Sequence, residues 1–327
     1  MTFRSSESLF SNAVPVFMKS FGRLNPEKVF YVIWREKSTA GLFSNVFHVL
    51  AHLSYAHEFG LTPVVDMEHF PTLYNEAESI QGSKNSWEYY FNQPVQASLA
   101  DAYKSKRVVF CYGANNSAFA VYYNFAKAQE TARRYLRINS HILAEAERFR
   151  SEHFQGKVLG VHMRGQEMKT AAGHPIPPSE EQMLARAEQL LRSLPIDRIF
   201  IVSEEQAYVD AFQRRFGEMV LCTDAFRTYE ENAYRLPIYP RPLHMYHLGL
   251  DVLRDAILLS QCAYLLAGGM GGLAFGSGVS MMAQLLNDRR YAHVELVYNG
   301  ILPGGPGQRA FIEFIRDYFP GGVYQTA

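Results

Sequence analysis

Cysteine is scarce in this chain, with three residues among 327. Cys111, Cys222 and Cys262 contain no CxxC pair and are odd in number. A disulfide framework or a cysteine-paired zinc site is therefore not expected. An excess of either charge is also missing, since Lys plus Arg and Asp plus Glu both number 32. Balanced charge gives no general pull towards nucleic acid or an anionic membrane, so no nucleic-acid partner is expected. No apolar run reaches the roughly eighteen residues of a membrane-spanning helix. The segment Met1–Gly22 lacks a basic start followed by an apolar core. No signal peptide is expected there, and the cytoplasm is the expected location.

What is present suits a globular α/β protein. Hydrophobic residues make up 48% of the chain and charged ones 20%, which argues against disorder. A length of 327 residues favours two cores over one. Apolar strand patterns alternate with helical ones. Val29–Trp34 reads as a strand, Leu42 to Leu53 as a helix stopped by Gly60, and Thr62–Asp66 as a strand again. Arg107–Tyr112 is a further strand, and helix formers run from about 124 to 150. In the second half, strands are expected at Val158–Val161, Arg198–Ser203, Met219–Thr223, Ala263–Ala267 and His293–Val297. Helices are expected from Ser179, from Glu204 to a stop at Gly217, from Gly249 to Ser260 and from Gly271 to Leu286, with a terminal one over 311–319. Ser179 with Gln182 fits a capping box. Such alternation implies parallel sheets covered by helices. The expected division is two Rossmann-like domains, residues 1–155 and residues 156–327.

The chemistry concentrates in the middle of the chain. Val158–Val161 leads into His162, Met163, Arg164, Gly165, Gln166 and Glu167, and on to His174-Pro175-Ile176. In an open α/β sheet, ligands bind beyond the carboxyl ends of the strands. Arg164 falls at such an end. Its planar, permanently charged fork matches phosphate oxygens. On the residues alone, a surface Arg pairing with Glu167 explains the position equally well. His162 fits a packed core as well as it fits a site.

Gly160-Val161-His162-Met163-Arg164, an acidic residue, Lys169, Ala171-Ala172 and His174-Pro175-Ile176 together resemble the donor-binding motif of the α1,6-fucosyltransferases. That family includes the nodulation fucosyltransferases. Ile199–Glu205 resembles the family's strand that ends in acidic residues, and Asp251–Leu266 resembles its helix and following strand. The three segments keep the family's order over residues 158–285. The resemblance implies two Rossmann-like domains facing across a cleft, the GT-B type of glycosyltransferase, with residues 1–155 on the acceptor side and residues 156–327 binding the nucleotide sugar. It implies an inverting transfer from GDP-fucose to a glycan hydroxyl, without a metal and without a cofactor beyond the donor itself. Arg164 would neutralise the diphosphate, and His162, Ser203, Glu204 (or Glu205) and Asp255 would help to hold the donor.

The chain also departs from the family. Gln166-Glu167-Met168-Lys169 stands where Thr-Asp-Lys is usual, and no acidic residue precedes His174. Glu167 becomes the candidate catalytic base. A family Ser-Ser-Gln is replaced by Met270-Gly271-Gly272. Bare amides of Gly269, Gly271 and Gly272 at a helix start would still suit phosphate. Two other classes stay open. A chain without its base would be a nucleotide- or glycan-binding protein. Gly269-x-Gly271-x-x-Ala274, with Glu295 further on, also fits a dinucleotide fingerprint and an NAD-dependent oxidoreductase. Two aromatic regions have two readings each. Trp87–Phe91 could form an acceptor surface or a packed cluster. The loop with Arg227, Arg235, Arg241, His244 and His247 could face a sugar or simply solvent.

Overall fold

The computed structural model describes residues 17–36, 39–111, 113, 125–164, 176–229, 241–268, 277–287, 291–299 and 323–326. The chain divides into two compact units. Unit 1 comprises Met1–Ile142 with Met245–Gly249, and unit 2 comprises Leu143–His244 with Leu250–Ala327. Among the described residues, no helix is long and apolar enough to cross a membrane.

Unit 1 is built on a four-stranded sheet. Its strands are β1 (Phe17–Lys19), β2 (Phe30–Ile33), β3 (Thr62–Val65) and β4 (Val108–Phe110), in the order β1-β4-β2-β3. β2 pairs in parallel with β3 and β4, whereas β1 runs antiparallel to β4. The antiparallel edge is not announced in the sequence, because three residues are too short for a period-two signal. Helix α1 (Leu42–Glu58) has buried side chains nearly all round, as a helix covered on both sides must. Gly60, at φ 62°, turns the chain back from its end as expected. The short α2 (Leu99–Ala102) is capped by Ser98 and Asp101.

The stretch expected to be helical from about 124 to 150 is two helices, α3 (Phe125–Tyr135) and α4 (Ser140–His153). The break has a tertiary cause. Ile138 bridges to Phe91, and Asn139 donates its backbone N–H to the Tyr90 carbonyl at 3.0 Å. The Trp87–Phe91 region is a packed cluster, since Trp87, Tyr89, Tyr90 and Phe91 are all buried. Tyr90 stacks on Tyr246 at 5.9 Å, and its hydroxyl donates to the Tyr246 carbonyl at 2.9 Å.

Unit 2 carries a six-stranded, all-parallel sheet. Its strands are β5 (Val158–Met163), β6 (Arg198–Val202), β7 (Val220–Leu221), β8 (Tyr264–Gly268), β9 (His293–Tyr298) and β10 (Val323–Thr326). The order is β10-β9-β8-β5-β6-β7. Strand addition therefore runs outward from β5 to β7 and then restarts at β8 on the other side. This is the Rossmann order, with its topological switch point between β5 and β8. The expectation of a parallel α/β sheet holds here. Helices α5 (Glu180–Ser193), α6 (Gln206–Phe216), α7 (His244–Ser260) and α8 (Gly278–Asn287) complete the unit, apart from the first turns of α7 that belong to unit 1.

Local chemistry explains the boundaries. Ser179 and Gln182 form the expected capping box at 3.2 and 2.7 Å. Gly217, at φ 59°, ends α6. β7 is shorter than the expected Met219–Thr223, because a 3₁₀ turn takes Gly217–Met219 and the Thr223 side chain bonds elsewhere. α7 begins at His244, five residues before the expected Gly249. Contacts of Tyr246 with the aromatic cluster outweigh the weak helical pattern there. Gly160 in β5 is a close approach, since an added Cβ would meet Leu259 at 2.9 Å and Cys262 at 3.1 Å. The expected terminal helix over 311–319, and residues 271–276 of the expected Gly271–Leu286 helix, lie outside the described residues.

Candidate functional site

β5 is six residues of unbroken burial, and Arg164 is the next residue along the chain. The strand thus delivers a half-buried guanidinium to the carboxyl edge of the sheet. Met163 is in register with Gly268, the last residue of β8. Arg164 therefore sits at the switch point, the position at which open α/β sheets bind their ligands. Glu167, Gly269, Gly271 and Gly272 lie outside the described residues.

His162 turns away from this edge into the unit. It is buried, with Nδ1 2.7 Å from the Ser280 hydroxyl and Nε2 3.4 Å from that of Ser277. Burial, and then the nearby Arg164 charge, push its pKa down to about 3. It is a neutral hydrogen-bonded tie between β5 and α8.

The next strand ends supply a polar network. Ser203, just beyond β6, is buried and accepts the N–H of Glu205 on its hydroxyl at 3.1 Å. Glu204 is half-buried, and its carbonyl accepts from Thr228 at 3.3 Å. Arg227 donates to the carbonyls of Ser203, Thr223 and Ala225 at 3.2, 2.9 and 3.0 Å. Thr223, beyond β7, donates its hydroxyl to Asp255 of α7 at 2.7 Å. Asp255 is buried, and burial pushes its pKa up to about 6 against the pull of Arg227, Thr223 and Arg254.

Sequence reasoning singled out Asp255 and Arg227 separately and missed the link through Thr223. Thirty-two positions separate Thr223 from its partner, so no local spacing could reveal it. The same network includes Asp251, which accepts from Arg241 at 2.9 Å and from the Phe226 N–H at 3.2 Å. Arg241 also lies over the Phe226 ring at 5.7 Å, and His244 meets that ring edge-on at 5.1 Å. Arg227, Arg241 and His244, from the long loop of two readings, are therefore held in a built network rather than trailing in solvent. Arg235 lies outside the described residues.

Glu295, the acidic partner required by a dinucleotide fingerprint, is buried within β9 and paired with Arg186 at 2.5 Å. That carboxylate is committed to an ion pair inside the unit. One trio among the described residues gathers metal-ligating atoms. His48, His52 and Cys111 of unit 1 place them within 4.8 Å of one another. His48 bonds the Trp34 carbonyl at 2.8 Å, and His52 bonds the Tyr31 hydroxyl at 2.8 Å. Burial pushes Cys111 up to about 12 and, with Arg35, His48 down to about 3. These are the properties of a neutral hydrogen-bonded core. No sequence spacing signals the trio, which α1 and the end of β4 assemble.

No protein-family model matches the chain, and no curated protein matches it in sequence. Solved structures do match. A NodZ α1,6-fucosyltransferase co-crystallised with GDP superposes at a TM-score of 0.51 with 18% identity, covering 79% of this chain and 93% of that one. A crystal of the same enzyme soaked with GDP-fucose gives the same values. Fucosyltransferase NodZ from Bradyrhizobium gives a TM-score of 0.50 with 18% identity, covering 79% and 94%. The chain has a fucosyltransferase-like glycosyltransferase fold. This is the fold that the resemblance of the three sequence motifs implies.

Proposed function

We propose that the chain is an inverting glycosyltransferase that moves fucose from GDP-fucose to a glycan hydroxyl. One observation carries this above the others. Arg164 stands at the switch point of a Rossmann-ordered sheet, in a fold shared with an enzyme crystallised with GDP and with GDP-fucose. Breaking a sugar–diphosphate bond builds negative charge on the departing GDP. A fixed cation at that point lowers the barrier more than it stabilises the ground state.

In this proposal unit 2 holds the donor and unit 1 the acceptor. Arg164 meets the diphosphate directly, and bare amides of Gly269, Gly271 and Gly272 supplement it. His162 holds β5 against α8 so that Arg164 keeps its position. The Thr223–Asp255–Arg227 network, with Ser203 and Glu204, stiffens the loops beyond β6 and β7. The guanidinium supplies the charge that a metal ion would otherwise provide, and no cofactor beyond the donor is assigned.

Incubation with GDP-fucose and a panel of glycans, read as GDP release and gain of one deoxyhexose, tests the assignment. Turnover with GDP-fucose and not with other nucleotide sugars is expected. Turnover of a different nucleotide sugar with GDP-fucose idle would reject the donor. GDP binding with no turnover of any donor would make the chain a binding protein on a transferase fold.

A further inference from the structure

Unit 1 contains a small internal cavity against the first turns of α1. Val46, Met67, Trp87 and Phe91 give it apolar walls, and Asn45 and Ser86 bring polar groups to it. The space open to a water's centre is about 10 Å³. That admits one water molecule and excludes a sugar or a nucleotide.

Asn45 is 2% exposed, and among the described residues neither its Nδ2 nor its Oδ1 has a hydrogen-bond partner. Its backbone N–H bonds the Gly41 carbonyl at 3.1 Å, so only the side chain is left over. In the unfolded chain that amide bonds to water through both its N–H groups and its oxygen. Buried without a partner, it would lose those bonds and gain none in return. Helix propensity does not account for the residue either, since an Asn side chain competes with the helical backbone.

Ser86 is buried and offers the second polar group. Its hydroxyl lies 2.9 Å from that of Thr72. Thr72 has one proton and another acceptor for it, Asn75 Oδ1 at 3.2 Å. If Thr72 donates to Asn75, Ser86 donates to Thr72. If Thr72 donates to Ser86, the Ser86 proton is free to turn. In both arrangements the Ser86 oxygen keeps a lone pair for a further donor.

We propose that this cavity is a structural water site, in which one ordered water bridges the Asn45 amide and the Ser86 hydroxyl. The water accepts from Asn45 Nδ2 and donates to the Ser86 oxygen. Both groups line a space of one-water size, so a single molecule reaches both. The bridge has a structural use. Residues 66–98, between β3 and α2, run as turns and isolated bridges. Side-chain bonds hold this segment to α1, as the Leu42 N–H does by donating to the Tyr74 hydroxyl at 2.7 Å. The water is a second tie of that kind. It concerns unit 1 alone and does not depend on fucosyl transfer.

A crystal structure of the wild-type protein at a resolution that shows ordered solvent is the direct test. One water is expected in the cavity, about 3 Å from the Asn45 amide and from the Ser86 hydroxyl. A cavity without density, or a water that touches only one of the two groups, would overturn the bridge. Magnetic relaxation dispersion of the water oxygen tests it in solution, because a water buried for longer than the protein's tumbling time adds to the signal. The wild type should hold one more such water than Asn45→Leu, whose apolar side chain takes the space and removes the amide. Equal numbers in the two proteins would overturn the site. Should Asn45→Leu not fold, the wild-type crystal structure decides alone.

Discussion

Arg164→Ala should lower kcat/KM for GDP-fucose by about 30- to 1,000-fold, on the order of 2–4 kcal/mol of transition-state stabilisation. The residue follows a strand that is buried throughout and stands at the β5/β8 switch point. Truncation there removes a cation without removing core packing, because the side chain is only half-buried. Thermal stability should therefore change little while turnover collapses. Arg164→Lys should recover only part of the loss. An ammonium keeps the charge but lacks the planar fork that grips two phosphate oxygens at once. Steady-state kinetics on both variants, with calorimetric GDP titration alongside, checks the expectation. Unchanged kcat/KM in Arg164→Ala would remove this residue from the mechanism.

A second large effect concerns acid. His48 in unit 1 and His162 in unit 2 are each pushed from an ordinary 6.5 to about 3 by burial and a neighbouring arginine. Below pH 6.5 the unfolded chain binds protons at both positions, and the folded chain cannot. Their contribution is complete above pH 6.5 and is lost as pH falls towards 3. At pH 5 each has cost about 2 kcal/mol. Asp255 works the other way. Its folded value of about 6 lies above the ordinary 3.8. Its contribution is full below 3.8 and is lost as pH rises through 6, so acidification to pH 5 returns about 1 kcal/mol. The net expectation is a loss of about 3 kcal/mol between pH 7 and pH 5, a large part of a typical folding stability. Urea unfolding at the two pH values measures it. Equal midpoints would show that these imidazoles titrate freely in the folded protein.

Much of the frame of unit 2 was legible in the sequence. Val158–Val161, Ile199–Val202 and Leu265–Ala267 are unbroken apolar runs, and buried parallel strands read that way. Gly60, Gly217 and the Ser179–Gln182 pair mark helix ends through local backbone chemistry that sequence displays directly. The features that escaped depend on distant partners. β1 is three residues long and exists by pairing with β4. The first turns of α7 are held by the stack of Tyr246 on Tyr90, 156 positions away in sequence.

The candidate site shows the same division. Arg164 could be placed because its strand announces it. His162 could not be assigned a direction, since alternation along a strand buried on both faces does not say which side meets α8. Thr223 and Asp255 are joined only by the fold.

A crystal structure with GDP bound tests the central claim most directly. The account predicts the nucleotide at the carboxyl edge of β5 and β8, with the Arg164 guanidinium on its β-phosphate. GDP bound elsewhere on the chain, or an Arg164 that makes no phosphate contact, would contradict it.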